Sequence, residues 1–121
     1  MNEANYPTSG VDQVTATEIL GASPKDIDID GKTVVLIERA DRAISAFCRG
    51  GKVYSVKIQH PFTGEVRGVK IGDDQTTVES KVGKPSRPWP ISDGRVRWLY
   101  DRPDFMRIDF SSSGLVDQIF L

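Results

Sequence analysis

Hydrophobic and polar residues alternate with a period of two along several stretches of the chain, which is the pattern of half-buried β-strands. In the clearest stretch, Met106, Ile108 and Phe110 fall on one side and Arg107 and Asp109 on the other. Turn residues such as glycine, aspartate and proline separate these stretches, as in β-hairpins. The pattern predicts six strands, at 33–39, 43–49, 52–58, 95–101, 105–110 and 115–120.

A helical spacing precedes each set of three predicted strands. Val78 and Val82 are four residues apart and fall on one face of a helix, which Asp73 or Asp74 can cap at its N-terminus. Gly83 is suited to the residue that ends this helix. The same spacing occurs 62 positions earlier in the chain, at Asp12, Ala16, Leu20 and Gly21.

The two halves of the chain resemble each other. Residues 30–58 align with residues 93–121 without a gap, and eight of the 29 positions are identical, where about two are expected by chance. Further upstream, 10–24 aligns with 72–86, and one extra residue in the second half explains the change of offset. We interpret the chain as a single domain, 1–121, with internal repeats 10–58 and 72–121 joined by the linker 59–71.

A three-stranded unit with one short helix buries too little surface to be stable alone. Two such α-β-β-β units that join their strands form one continuous core. We therefore expect an α+β fold with one curved antiparallel sheet of about six strands and two short helices on one face. The opposite face of the sheet is then open to solvent.

Composition excludes several classes of partner. The 121 residues are 38% hydrophobic and 27% charged, with a net charge of −1, so no general attraction to nucleic acid or to an anionic membrane is expected. No apolar run is long enough to span a membrane. The first residues lack the pattern of a secretory leader, and the single cysteine, Cys48, rules out an internal disulfide. These features favour a cytoplasmic protein, or a periplasmic one if a leader precedes Met1.

The residues that most often carry chemistry do not form a recognisable catalytic or metal-binding set. His60 is the only histidine, and with Cys48 it provides too few ligands for a zinc site. The serines at 111–113 lack the surroundings of a nucleophile elbow. The acidic stretch 26–31 lacks the glutamate of a calcium loop, so we interpret it as a solvated loop and strand edge, and 72–74 as a helix cap. We predict no enzymatic activity, no metal and no cofactor.

The predicted open face is therefore the candidate functional surface. Its mixture of charged and apolar side chains is more typical of a protein-binding patch than of a surface that follows phosphates, although a simply solvated sheet face has the same composition. Trp89 lies between two prolines in a predicted irregular loop, where it can anchor an interface or cover the end of the core. The predicted partner-binding residues are Trp89, Arg95, Arg97, Arg107, Asp109 and Phe120. Those expected from the first half are Lys32, Val34, Glu38, Ile44 and Lys57.

The glycine and core pattern of the second half resembles the repeat of SmpA/OmlA-type outer-membrane assembly lipoproteins and the related units of β-lactamase-inhibitory proteins. The residues that carry the resemblance are Gly72, Val78, Val82, Gly83, Pro85, Trp98, Tyr100, Phe110, Gly114, Val116 and Ile119. The tandem arrangement is most similar to that of the inhibitory proteins. The resemblance implies a non-enzymatic protein that grips another protein with its sheet face and nearby loops. The lipid-bearing N-terminal cysteine and the disulfides of these families are missing here.

Two functional hypotheses follow from the sequence. The first is a cytoplasmic binding protein that occludes one specific protein, as a toxin immunity protein or an enzyme inhibitor does. The alternative is the mature domain of a cell-envelope assembly or scaffold protein of the SmpA/OmlA type. A third class, a small-molecule site in the sheet concavity, requires a pocket with converging polar groups.

Overall fold

The protein is an α+β domain built on one antiparallel sheet of eight strands, with two helices, as seen in a computed structural model that describes residues 5–121. The strand order is β1-β2-β3-β4-β8-β7-β6-β5. In chain order the elements are α1 (Gln13–Leu20), β1 (Lys25–Ile29), β2 (Lys32–Glu38), β3 (Ile44–Arg49), β4 (Lys52–Gln59), α2 (Gln75–Val82), β5 (Arg87–Pro90), β6 (Val96–Tyr100), β7 (Met106–Phe110) and β8 (Val116–Phe120).

The sequence prediction found six of these strands within one or two residues of their ends and missed the two outermost ones. β1 lies in the acidic stretch that we interpreted as a solvated loop and strand edge, and it pairs with β2 through a turn at Asp30 and Gly31. β5 contains Trp89 and pairs with β6, so the interpretation of this segment as an irregular loop was wrong. The sheet therefore has eight strands and not about six, and β1 and β5 form its two edges.

One hydrophobic core lies between the sheet and the two helices. Ala16 and Leu20 of α1 and Val78 of α2 join the same buried cluster as alternate residues of the strands. The segment between β4 and α2, predicted as a linker, adds to this core through Phe62, Val66 and Val69. The strand residues in the cluster are Ile37, Ile44, Ala46, Cys48, Val53, Val56, Ile58, Trp98, Tyr100, Met106, Ile108, Phe110, Val116 and Ile119. Ile44, expected on the open face, is therefore in the core.

The two helices are attached to the sheet in the same way. The Gly10 N–H donates to the Val53 carbonyl at 2.8 Å, and the Gly72 N–H donates to the Val116 carbonyl at 2.8 Å. The N-cap residue of each helix also forms an isolated bridge near the start of the last strand of its half, Asp12 with Lys52 and Asp74 with Leu115. Asp74 caps α2 by accepting from the Thr77 N–H at 2.8 Å, whereas Asp12 makes no side-chain cap bond to α1.

Tyr100 fixes the end of α2 against the sheet. Its hydroxyl donates to the Gly83 carbonyl at 2.9 Å, directly after the last helical residue. Burial, reinforced by the nearby charge of Glu79, raises the pKa of Tyr100 to about 12. The phenol is therefore protonated, and a donor, throughout the physiological pH range.

The sheet contains an irregularity in each half that the gapless alignment did not anticipate. The register shifts beside Phe47 and Cys48 of β3, where β4 has an extra residue at Tyr54. It shifts again beside Asp109 and Phe110 of β7, where β8 has an extra residue at Asp117. Next to these bulges, Cys48 lies opposite Val53 and Phe110 lies opposite Val116. Phe110 therefore occupies the position of Cys48 in the other half and not that of Phe47, so the ungapped alignment is one residue out of register in this strand.

Candidate functional site: the open face of the sheet

One face of the sheet carries neither helix, and we call it the open face. Both helices and the segment between the halves pack on the other face, whose residues form the core cluster. Because successive side chains of a strand point to opposite faces, the strand residues between the core positions belong to the open face. Directly opposite residues on paired strands share a face, so the pairing register places the open-face side chains in rows.

Two neighbouring rows cross the second half of the sheet and its centre. The first row runs from β5 to β4 and consists of Trp89, Arg97, Asp109, Gln118 and Gln59. The second row runs from β5 to β2 and consists of Arg87, Leu99, Arg107, Phe120, Lys57, Ser45 and Glu38.

The register brings five of the six predicted partner-binding residues together in these two rows. Trp89, in an edge strand, lies directly opposite Arg97, and its side chain is 54% exposed. Arg107 lies directly opposite Phe120. The sixth residue, Arg95, precedes β6 and forms an ion pair of 2.7 Å with Asp117. Period-two alternation places Leu99 on the same side of its strand as Arg97. No sequence signal identified Gln59 as a member of the same surface, because cross-strand neighbours depend on the register.

Asp109 is the centre of the site. It is only 2% exposed although it lies on the open face, because two arginine side chains enclose its carboxylate. Arg97 donates to Oδ1 from Nε at 3.0 Å and to Oδ2 from Nη2 at 3.4 Å. Arg107 donates to the same two oxygens from Nε at 3.2 Å and from Nη2 at 3.0 Å. Both guanidinium groups are thus held in bidentate geometry, the strongest form of this contact.

Asp109 is a carboxylate at neutral pH. Burial alone would raise its pKa, but the hydrogen bonds from Arg107 and Arg97, together with their positive charges, outweigh burial and lower the pKa of Asp109 below its ordinary value. Two positive groups face one negative group, so the cluster has a net charge of +1. Arg97 and Arg107 remain 31% and 25% exposed, which leaves part of each guanidinium accessible from the open face.

Aromatic side chains flank the arginine cluster. The guanidinium carbon of Arg107 lies 3.9 Å from the centroid of the Phe120 ring, a cation–π contact that fixes the side chain from a second direction. Trp89 is next to Arg97 on the other side. Arginine and tryptophan side chains held in this way are the residue types that most often dominate binding energy at protein interfaces.

In the first half of the open face, apolar side chains pair across β2 and β3, whereas charged side chains pair across β6 and β7 in the second half. Leu36 lies opposite Phe47, and Val34 lies opposite Ile27. Val34 is buried although it is not part of the core cluster between sheet and helices. Lys32 and Glu38 belong to the same strand as Val34, as expected for the open face, and Glu38 accepts from the Ser45 hydroxyl at 3.1 Å. The open face is therefore bipartite, with an apolar patch beside a charged one.

Cys48 and the possible metal ligands are the residues considered above for chemistry. Cys48 is buried in the core, and burial raises the pKa of its thiol, which disfavours the reactive thiolate. Among residues 5–121, no group of three or more histidine, cysteine or acidic side chains is arranged to hold a metal ion. Over the same residues, none of the helices has both the length and the apolar character required to cross a membrane.

Comparison of the chain with protein families, with curated proteins and with solved structures finds no match.

Proposed function

We propose that this protein is a non-enzymatic binding module whose open face covers the working surface of one specific protein, as an immunity protein covers a toxin or an inhibitor covers an enzyme. The observation that carries the proposal is the buried Asp109 between Arg97 and Arg107 on a face with no helix over it. A purely solvated sheet face has no need to hold two arginines in fixed bidentate geometry. Groups fixed before binding lose little entropy when a partner docks, so a fixed pair of guanidinium groups suits recognition.

The charge of the two rows indicates an acidic partner surface. The rows contain four basic side chains, Arg87, Arg97, Arg107 and Lys57, and two acidic ones, Asp109 and Glu38, which gives a net charge of +2. The whole chain has a net charge of −1, so positive charge is concentrated on this face. Complementary charge speeds association and excludes wrong partners. The apolar patch around Leu36 and Phe47 adds contact area beside it.

Duplication of an ancestral unit accounts for the bipartite face, and we include it in the proposal. It is supported by the matching attachment of the two helices and by the strand order, in which β1 to β4 mirror β5 to β8. Pairing at the centre has the same symmetry: Ile58 lies opposite Ile119, while Val56 and Leu121 exchange two hydrogen bonds of 3.1 and 2.9 Å. Leu36 lies opposite Phe47 as Arg97 lies opposite Asp109, so the pairing register, unlike the ungapped alignment, makes these two pairs equivalent. In this view the copies kept their core and diverged on the open face.

Site-specific photo-crosslinking in the native host tests which face meets the partner. A photoreactive residue at Trp89 or Gln118 reports on the open face, and one at Glu18 of α1 reports on the helix face. We expect one abundant protein to be linked from Trp89 and Gln118 and not from Glu18. Linkage from Glu18 alone, or no stoichiometric protein from either open-face position, overturns the proposal.

Two substitutions extend this test without touching the Asp109 cluster. Trp89→Ala removes the exposed ring, and Lys57→Glu reverses a charge of the second row. We expect each to weaken binding of the linked protein at least roughly ten-fold, in the range of interface hot spots. The control Glu18→Lys reverses a charge on the helix face and should leave the affinity unchanged.

A further inference from the structure

A groove of about 820 Å³ lies at one end of the sheet, outside the two rows of the open face. Its walls come from five parts of the chain: the N-terminal segment at Tyr6, β4 at Tyr54, the turn at Arg67, the loop between β6 and β7 at Phe105, and Leu121 after β8. None of the residues of the two rows lines it. It is therefore distinct from the charged rows, although Tyr54 and Ser55 of the groove adjoin Phe47 of the apolar patch.

Arg67 occupies an unusual position for an arginine. Its φ of 52° is left-handed, and the following Gly68 has a φ of 85°. Val66 and Val69 on either side exchange two backbone hydrogen bonds of 2.9 Å, so Arg67 and Gly68 form a two-residue hairpin turn. The first position of such a turn favours asparagine, aspartate or glycine, and the matching turn at Asp30 and Gly31 follows that preference. Arg67 departs from this preference, as Arg42 does elsewhere in the chain, and such departures often mark side chains that have a function.

The side chain of Arg67 lines the groove close to Tyr6: burial raises the pKa of Tyr6, and the positive charge of Arg67 partly opposes this rise. Among residues 5–121, no ion pair or side-chain hydrogen bond involves the guanidinium of Arg67. Asp104, which lines the groove as well, also lacks an ion-pair partner within that part of the chain. Among the residues that the structure describes, the groove thus offers one guanidinium and one carboxylate that are not held in an ion pair.

Aromatic rings provide the apolar surface between these charges. Tyr54 is 40% exposed and Phe105 is 51% exposed, although aromatic side chains of this size are usually buried. Both line the groove, as does Tyr6, whose ring packs edge-on against Phe62 with 6.0 Å between centroids. Exposed rings beside a few charged groups are typical of small-ligand sites.

We propose that this groove binds a small zwitterion with an aromatic body, with its carboxylate at Arg67, its ammonium group at Asp104 and its ring against Tyr54 and Phe105. The chemistry is that of an aromatic amino acid, either free or as a dipeptide with free ends. A bidentate contact between a guanidinium and a carboxylate fixes the orientation of such a ligand. The ring then contributes most of the buried apolar area.

Titration of the ¹⁵N-labelled protein with four probes tests the proposal by NMR. The probes are L-phenylalanine, phenylalanyl-glycine, phenylacetate, which lacks the ammonium group, and phenethylamine, which lacks the carboxylate. We expect L-phenylalanine or the dipeptide to bind with a dissociation constant near 1 mM, as estimated for a ligand of this size. Saturable shifts should centre on residues 54–55, 66–68 and 104–105. The stronger of the two zwitterions identifies the source of the ligand.

Substitutions separate binding from folding. Arg67→Asn places a residue that the turn favours, so the melting temperature should be unchanged or higher while affinity for the zwitterion falls roughly ten-fold or more. Asp104→Asn should weaken L-phenylalanine and phenethylamine but not phenylacetate. Asp101→Asn, nearby but outside the groove, is the matched control and should change nothing. The proposal is overturned if no probe gives saturable shifts at these residues, or if Arg67→Asn binds L-phenylalanine as tightly as the parent.

Discussion

At the scale of single residues, the open face is organised by one carboxylate. The carboxylate of Asp109 contacts two guanidinium groups instead of water, and each of its oxygens accepts two hydrogen bonds. Without Asp109, Arg97 and Arg107 would repel each other across neighbouring strands. Asp109 is therefore a positioning residue, which holds the arginines in place for any partner that docks on them.

Replacement of Asp109 by asparagine keeps its shape and removes its charge. We expect Asp109→Asn to lower the free energy of unfolding by about 2–3 kcal/mol, because two partly buried arginines lose their counter-charge. Asp117→Asn is the matched control, since Asp117 pairs with a single arginine and its side chain is 38% exposed. The control should cost less than about 1 kcal/mol. Urea unfolding of the two variants measures the difference, and equal losses would contradict the central role of Asp109.

The same carboxylate gives the stability a pH dependence of known sign. Its folded pKa lies below the ordinary value of 3.8, because the arginine hydrogen bonds outweigh the opposing effect of burial. The stabilisation is therefore fully present above about pH 4 and is lost as the pH falls through the folded pKa. The difference in unfolding free energy between the parent and Asp109→Asn should be constant between about pH 5 and 7 and should shrink below about pH 4. A difference that grows toward low pH would show the opposite shift.

At the scale of elements, the sequence predicted what depends on local pattern. Period-two alternation located the six inner strands, and the i, i+4 spacing located both helices. β1 was missed although Ile27 and Ile29 alternate with Asp26 and Asp28. It is an edge strand with four exposed residues of five, and its acidic residues resemble those of a solvated loop. β5 was missed because its two prolines are typical of loops and are tolerated only at an edge.

The sequence predicted which residues of the candidate site lie on the open face, but not which of them contact each other. Alternation correctly separated Arg97, Arg107 and Asp109 from the core positions. The enclosure of Asp109 by both arginines depends on the register of β6 and β7, which places Arg97 directly opposite Asp109, and no local pattern in the sequence gives this register. The groove residues come from five distant segments, so no sequence spacing brings them together.

The two edge strands avoid further pairing by different means. Pro88 and Pro90 deprive β5 of backbone donors, and the carboxylates of Asp26 and Asp28 line the edge strand β1. We expect the double substitution Asp26→Val and Asp28→Val to cause concentration-dependent association, because it creates a long apolar edge. The double lysine variant of the same positions keeps the edge charged and should behave like the parent. Sedimentation velocity distinguishes them, and equal behaviour of all three proteins would show that these carboxylates do not protect the edge.

At the scale of the whole molecule, the halves meet through one strand pair and one shared core. β4 and β8 form the only strand pairing between the halves over residues 5–121, at the positions from Lys57 to Gln59. The core cluster nevertheless contains residues of both helices and of all six inner strands. Neither half can bury its apolar face without the other, so folding of the two halves should be coupled.

A substitution at the seam tests this coupling. Ile58 is fully buried opposite Ile119, and Ile58→Ala should lower the free energy of unfolding by about 3 kcal/mol, mainly through the cavity that it leaves. Each half contains its own probe of unfolding. In the first half, the buried Cys48 thiol becomes reactive toward a thiol reagent when that half unfolds. In the second half, the fluorescence of Trp98 reports unfolding, measured in a Trp89→Phe background so that Trp98 is the sole tryptophan. Both probes should give the same urea midpoint in the parent and the same shifted midpoint in Ile58→Ala, as a single cooperative unit requires. The exposed Val14→Ala is the control and should leave both midpoints in place. If Cys48 becomes reactive before Trp98 changes, the halves unfold separately, and the core does not join them into one unit.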